Sequence, residues 1–209
     1  MLIQSGPKDD QKTINIEIYD DCKDVGVFFS SGTDSSILLY LLAKENLETK
    51  KNIITFTIPK HDGAALYCNP IVDYINNELK TNVPYPILIG DPDLHHSMIL
   101  PMAMRKALSQ YPSLRLYVGE NQNPPEPVKM PGVYPNRILK SPNRKITRPF
   151  NHLYKYHIID LYYQFNQTDL LKLTHTCTER QVGRCNECFQ CHERQWAFDV
   201  LQQIDPGTA

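Results

Sequence analysis

The chain is expected to fold as an α/β protein around a mostly parallel sheet, and three features of its sequence point there. Short β-branched runs alternate with longer runs of helical period over roughly the first half of the chain, the pattern of strands joined by helical crossovers. One run, DVGVFFS at residues 24–30, is almost continuously apolar, as a strand buried on both faces must be. Small polar residues then crowd into SSGTDS, residues 30–35, and ligands of open α/β sheets bind beyond the carboxyl ends of strands.

In chain order, Thr13 to Tyr19 alternates apolar and polar residues and predicts a short edge strand. The buried strand 24–30 follows. Ile37, Leu38, Leu41 and Leu42 recur at helical spacing and predict a helix over Ser35 to Lys44. NIITFTI, Asn52 to Ile58, is rich in β-branched residues and reads as a strand. In CNPIVDYINNELK, Asn69 is suited to cap a helix and Pro70 to its first turn, while Ile71, Tyr74, Ile75 and Leu79 form one face. YPILIG reads as a further strand, HHSMILPMAMRKALSQY as a helix with Pro101 near its start, and LRLYVG as the next strand. This order makes the sheet Rossmann-like. It also sets SSGTDS and GENQN at strand ends, where one pocket can see both.

Residues 119–149 hold seven of the sixteen prolines and show no period; a segment of that length is functional or disordered. It ends in KSPNRKITRPF, which supplies Lys140, Arg144, Lys145 and Arg148. Helices are expected at Tyr154 to Phe165, Thr168 to Leu173 and His192 to Gln203. The division follows: residues 1–150 form the Rossmann-like domain with its edge strand and proline-rich loop, and residues 151–209 a helical C-terminal region.

Composition bounds the function. Lys+Arg 22 against Asp+Glu 23 leaves a formal charge of -1, so no global field draws nucleic acid or an acidic membrane. No apolar run approaches the roughly 18 residues of a spanning helix, and MLIQSGPKDDQK does not read as a signal peptide. A cytoplasmic setting is expected. Of six cysteines, Cys22 and Cys68 stand alone and four lie between residues 177 and 191. Such clustering favours metal ligation over disulfides. Cys177, Cys185, Cys188 and Cys191 are spaced C-x7-C-x2-C-x2-C. Four thiolates surround zinc tetrahedrally at about 2.3 Å and leave no open position, so the expected role is structural. An iron–sulfur cluster also takes four cysteines, and His175 or His192 could replace one of them.

Ser30-Ser31-Gly32-Thr33-Asp34-Ser35 has two physical readings. Its small residues let backbone N–H groups approach an anion at a helix N-terminus, with Asp34 able to hold Mg²⁺. Alternatively, Asp34 or Ser35 merely caps the helix. A Walker lysine is missing, so the P-loop motif does not apply.

The six residues resemble the S-G-G-x-D-S pyrophosphate loop of the N-type ATP pyrophosphatases, with Ser31 where the first glycine is usual; that substitution is tolerable if its φ is negative. TCTERQVGRCNECFQCHERQWAF resembles the zinc module of the 7-cyano-7-deazaguanine synthase branch through Cys185, Cys188, Cys191, Arg194, Ala197 and Phe198. YVGENQN is similar to that family's glycine–asparagine motif through Gly119 and Asn121, and RPFNHLYKYHIIDLY to its proline and lysine-bearing helix through Pro149 and Lys155. The resemblance spans roughly residues 24 to 200. It implies an adenine nucleotide alpha hydrolase type of fold and an ATP-dependent C–N ligase of queuosine-type biosynthesis. Such an enzyme activates 7-carboxy-7-deazaguanine as an acyl-adenylate, lets ammonia attack, and dehydrates the amide to the nitrile with a second ATP. By the same resemblance, Ser30, Gly32, Asp34 and Ser35 hold pyrophosphate, with Ser31 and Thr33 completing the loop. Asp34, Lys155 and Arg194 are then the catalytic candidates, Arg148 a weaker one, and adenine rests beside Thr55 to Ile58 and Gly119. ATP, Mg²⁺ and Zn²⁺ are the implied cofactors. A homodimer is compatible with this reading, whereas a membrane or a direct nucleic-acid partner is not expected.

The segment after Asn121 departs from the family: PPEPVKMPGVYPNRILKSP has Glu126 as its one carboxylate where aspartates are usual. A different acceptor is therefore an alternative, as in an amidotransferase or a thiolase, the latter with Cys68 as a conceivable nucleophile. A nucleotide-binding relative without turnover is another. His95, His96 and His157 are acid–base candidates by residue type, although no motif claims them. LYYQF reads as core.

Overall fold

The computed structural model describes residues 1–135, 137 and 143–207; Lys140 lies outside that set, as does the side chain of His96. Five strands form one all-parallel sheet: β3 (Asp24–Phe28), β4 (Asn52–Thr57), β5 (Ile87–Leu88), β6 (Leu114–Val118) and β7 (Ile146–Thr147). Their order is β5-β4-β3-β6-β7. The chain thus builds outward from β3 in one direction and then crosses to β6 on its other side. The crevice between the carboxyl ends of β3 and β6 is the topological switch point of the sheet.

Two helical layers cover the sheet. On one face lies α3 (His96–Gln110), whose Ile99, Ala103, Met104 and Ala107 pack against Phe28, Phe56 and Leu116. On the other lies α1 (Thr33–Thr49), flanked by α2 (Cys68–Leu79) and, further out, by α4 (Lys155–Gln164), α5 (Thr168–Lys172) and α6 (Phe189–Leu201). Enclosed between sheet and outer helices, α1 is buried on every side from Ser35 to Ala43, which explains a run of apolar residues too broad for a one-faced helix. One apolar core joins Val25 and Leu38 to Leu161 and Phe198, so it runs across residue 150 without a break. Among the described residues, no helix is long and apolar enough to cross a membrane.

Several expectations need correction. The run Thr13 to Tyr19 is not an edge strand of the main sheet. Its first part forms β2 (Lys12–Asn15), paired antiparallel with β1 (Leu2–Ser5) in a separate two-stranded sheet. That hairpin docks on α4, where the Ser5 hydroxyl donates to the His157 carbonyl at 2.6 Å and the Gly6 N–H to Asp160 at 2.8 Å. Asn69 does not cap α2. A 3₁₀ turn, Ala64–Tyr67, runs straight into the helix, and both Asn69 and Pro70 lie exposed within its first turn.

Candidate functional site

The cleft at the switch point is built from the end of β3, the start of α1 and the end of β6. Ser30, Gly32, Asp34 and Ser35 line it on one side and Gly119 and Glu120 on the other, around a cavity of about 150 Å³. Gly32 is the N-cap of α1, with no side chain capping it. Asp34 and Ser35 lie inside the first turn, so the reading in which either caps the helix does not hold. The first-turn N–H groups, which have no partner inside a helix, are left available to an anion. Gly119 is needed for close approach: a Cβ there would lie 2.9 Å from the Asp34 carbonyl carbon and 3.0 Å from the Ser35 nitrogen.

Ser31 does not meet the condition of a negative φ. Its φ is 55°, the left-handed region, and it is fully buried. Its hydroxyl lies 2.7 Å from the Ala64 carbonyl as donor, and its own carbonyl accepts from the His175 N–H at 3.0 Å. These bonds hold a conformation that a non-glycine residue resists. Ser31 and Thr33 therefore face inward and support the loop from behind. Thr33 is held likewise, its carbonyl accepting from the Tyr162 hydroxyl at 2.6 Å, which gives the core residues of LYYQF a task under the loop.

Lys155, at the first position of α4, is buried and pairs with the Asp34 carboxylate. The Asp34 Oδ1 is buried with no hydrogen-bond partner, and an unshared carboxylate oxygen fits a hard divalent cation such as Mg²⁺. Lys155 Nζ also lies 3.5 Å from Glu193 Oε2. Glu193 in turn receives both prongs of Arg137 at 2.7 Å and the Asn121 amide at 3.4 Å. Burial works to raise the Glu193 pKa, but Lys155 and Arg137 outweigh it and hold the carboxyl below its ordinary range. Asn121 is thus buried behind the cleft, where it faces Glu193 and does not line the cavity.

Arg194 stands elsewhere. Its fully buried guanidinium pairs with Asp205 at 2.7 and 2.9 Å and donates to Thr174 Oγ1 at 2.7 Å, so it braces the C-terminal helices and does not line the cleft. Arg148 pairs with Glu120 at 2.6 Å behind the cleft wall. Thr57 and Ile58 line the cavity, as Lys60 does, while Thr55 is buried below with its hydroxyl on the Pro84 carbonyl. His157 lies under the N-terminal hairpin, its Nε2 2.8 Å from the Asp10 carbonyl. His95 caps α3. Burial raises the Cys68 thiol to about 11, the environment of an inert cysteine.

The four cysteines converge. The sulfurs of Cys177, Cys185, Cys188 and Cys191 all lie within 4.8 Å of one another, a spacing that suits a tetrahedral ion with bonds of about 2.3 Å. Backbone N–H groups of Glu187 and Cys188 donate to the Cys185 sulfur at 3.4 and 3.2 Å. Burial pushes the Cys188 thiol up, but hydrogen bonds from the Thr178 and Cys191 backbone bring it down to about 7. The set fits zinc. Neither His175 nor His192 belongs to it.

No family model, curated protein or solved structure matches this chain. The site's chemistry is therefore read from its own geometry. Beside the switch-point cavity opens a larger one of about 610 Å³, sharing Lys60, Leu100 and Glu120 with it and walled by Tyr134 and Phe189. Sequence reasoning did not single out Lys60, Glu120, Arg137 or Glu193. A usable signal existed for Glu193: it lies four residues before Ala197 on the buried stripe of α6, where a charge requires a partner.

Proposed function

We propose that the protein is an ATP pyrophosphatase of the adenylating kind, and that its reaction is the conversion of 7-carboxy-7-deazaguanine and ammonia to 7-cyano-7-deazaguanine. The observation that carries the reading is the uncapped N-terminus of α1 at the switch point, with Asp34 presenting a free oxygen and Lys155 beside it. Ser30 and Ser35 hydroxyls and the first-turn N–H groups would cradle the β- and γ-phosphates, and Lys155 would neutralise charge as pyrophosphate departs. Mg²⁺ held at Asp34 would supply further charge neutralisation. A substrate carboxylate oxygen attacks the α-phosphorus, the bond to the β-phosphate oxygen breaks, and pyrophosphate leaves. Ammonia then displaces AMP from the acyl carbon and gives the amide. The amide oxygen is adenylated by a second ATP, and loss of AMP with two protons leaves the nitrile. Catalysis of this kind is positioning plus electrostatics, which is what the cleft offers. The zinc module would act by structure alone.

A second reading changes only the acceptor. The larger cavity is lined by Glu120, Glu179 and Glu187 against one lysine, Lys60, an environment that favours an acceptor without a free carboxylate. Calorimetry with Mg-ATP tests the part common to both. Micromolar binding is expected, weakened at least tenfold by Asp34→Asn; equal binding by the two proteins would remove the phosphate loop from the account.

A further inference from the structure

We propose that Glu193 is a positioning residue that couples the phosphate cradle to the larger cavity through Arg137. The inference rests on the adenylating function proposed above.

Glu193 is 1% exposed and sits between cations from two separate parts of the chain. Lys155 Nζ is 3.5 Å from its Oε2 and is shared with Asp34 at the phosphate loop. Arg137 engages both carboxylate oxygens at 2.7 Å, a planar fork that fixes orientation as well as charge. The Arg137 guanidinium also lies 5.4 Å over the Phe189 ring, whose centroid is 4.7 Å from that of Tyr134. Phe189 and Tyr134 wall the larger cavity. The turn before Tyr134 is seated firmly, since a Cβ on Gly132 would fall 2.9 Å from the Phe189 nitrogen. One buried carboxylate thus joins the group that meets phosphate to the wall that meets the acceptor.

Charge balance gives the coupling its direction. Lys155 is shared by Asp34 and Glu193, and Arg137 pairs with Glu193 alone, two anions with two cations. Phosphate oxygens arriving at Ser30 to Ser35 recruit Lys155. Glu193 is then left with Arg137, and a buried carboxylate depends on the cation that remains. Nucleotide binding therefore tightens the Arg137–Glu193 pair and fixes the Tyr134–Phe189 wall. By reciprocity, a filled acceptor cavity tightens nucleotide binding by the same factor.

The test uses the full chain with Mg²⁺ and α,β-methylene-ATP, reading affinity by calorimetry and amide exchange at Gly132 to Tyr134. In the wild type the analogue should slow that exchange at least fivefold. Arg137→Met should abolish the slowing and weaken the analogue about tenfold, because Glu193 then has no cation once Lys155 turns to phosphate. Glu193→Gln should abolish the slowing without that loss of affinity, and in the double variant it should bring binding back to within about threefold of the wild type. Slowing that persists in Arg137→Met overturns the coupling, as do effects that simply multiply in the double variant. Arg137→Met alone decides the matter if Glu193→Gln does not fold. A wild type that binds no analogue overturns the adenylating function and this inference with it; binding without slowing overturns the coupling alone.

Discussion

Ser31 holds its left-handed backbone, φ 55°, through bonds to Ala64 and His175. Ser31→Ala keeps the strain and loses the hydroxyl bond, whereas Ser31→Gly loses the bond but relieves the strain. Urea denaturation should therefore find the glycine variant more stable than the alanine variant by about 1 kcal/mol; the reverse order would mean that the loop is not strained. Gly119 makes the opposite demand. A methyl there meets the Asp34 and Ser35 backbone at 2.9–3.0 Å, neither of which is a flexible side chain. Gly119→Ala should cost about 1–3 kcal/mol and weaken Mg-ATP at least tenfold by displacing the first turn of α1. The loop and Gly119 were legible because small residues at strand ends form a local pattern. Glu193 and Arg137 were not legible as a pair, since they lie 56 residues apart in sequence; the buried stripe of α6 marks Glu193 as a charge in need of a partner without saying which. Arg194 shows the converse, a residue placed in the cleft by resemblance that is bound to Asp205.

At the scale of elements, the N-terminal hairpin carries a pH dependence. His157 accepts the Tyr154 N–H at Nδ1 and faces the Asp10 carbonyl with Nε2, so its buried ring is neutral. Burial lowers its pKa, against an upward pull from Asp10, while Lys12 adds to the lowering. A histidine pKa depressed on folding contributes stability that is complete above the unfolded value of about 6.5 and is lost as pH falls through the folded value. Chemical denaturation from pH 8 to 5 should show that loss, and His157→Gln should flatten its histidine-dependent part; an unchanged slope would exclude His157 as its source. The cysteine module makes a second prediction at this scale. Gln181 between its ligands packs on Gly63 and donates to the His61 carbonyl at 3.1 Å, beside Lys60 and Ala64 of the cleft. Metal analysis should find about one zinc per chain. A chelator should raise amide exchange in both residues 177–191 and residues 60–67, and a change confined to the cysteines would mean the module does not brace the cleft. Helices and inner strands were readable from their periods. Strand β5 was expected over YPILIG, of which two residues pair, whereas β1 and β7 were not read: β7 has two residues and owes its state to pairing with β6 rather than to its own sequence.

For the whole molecule, order of elements decided the site. The strand order β5-β4-β3-β6-β7 brings the ends of β3 and β6 together although they are 90 residues apart from Phe28 to Val118, and alternation of strands and helices was enough to anticipate that. The split at residue 150 was suggested by a change of texture, the prolines of 119–149, yet a single core forms because α4 and α6 supply the outer cover that α1 needs. What faces the switch-point loop was the least legible part, since the larger cavity's wall comes from a segment without period and from α6. The most direct test of the account is an assay of the purified protein with Mg-ATP, ammonium and 7-carboxy-7-deazaguanine, following nitrile, AMP and pyrophosphate together. The account predicts two AMP and two pyrophosphate per nitrile, reduced at least 100-fold by Asp34→Asn. AMP and pyrophosphate without nitrile would move the enzyme to another acceptor, and the absence of both products with bound ATP would contradict the catalytic claim itself.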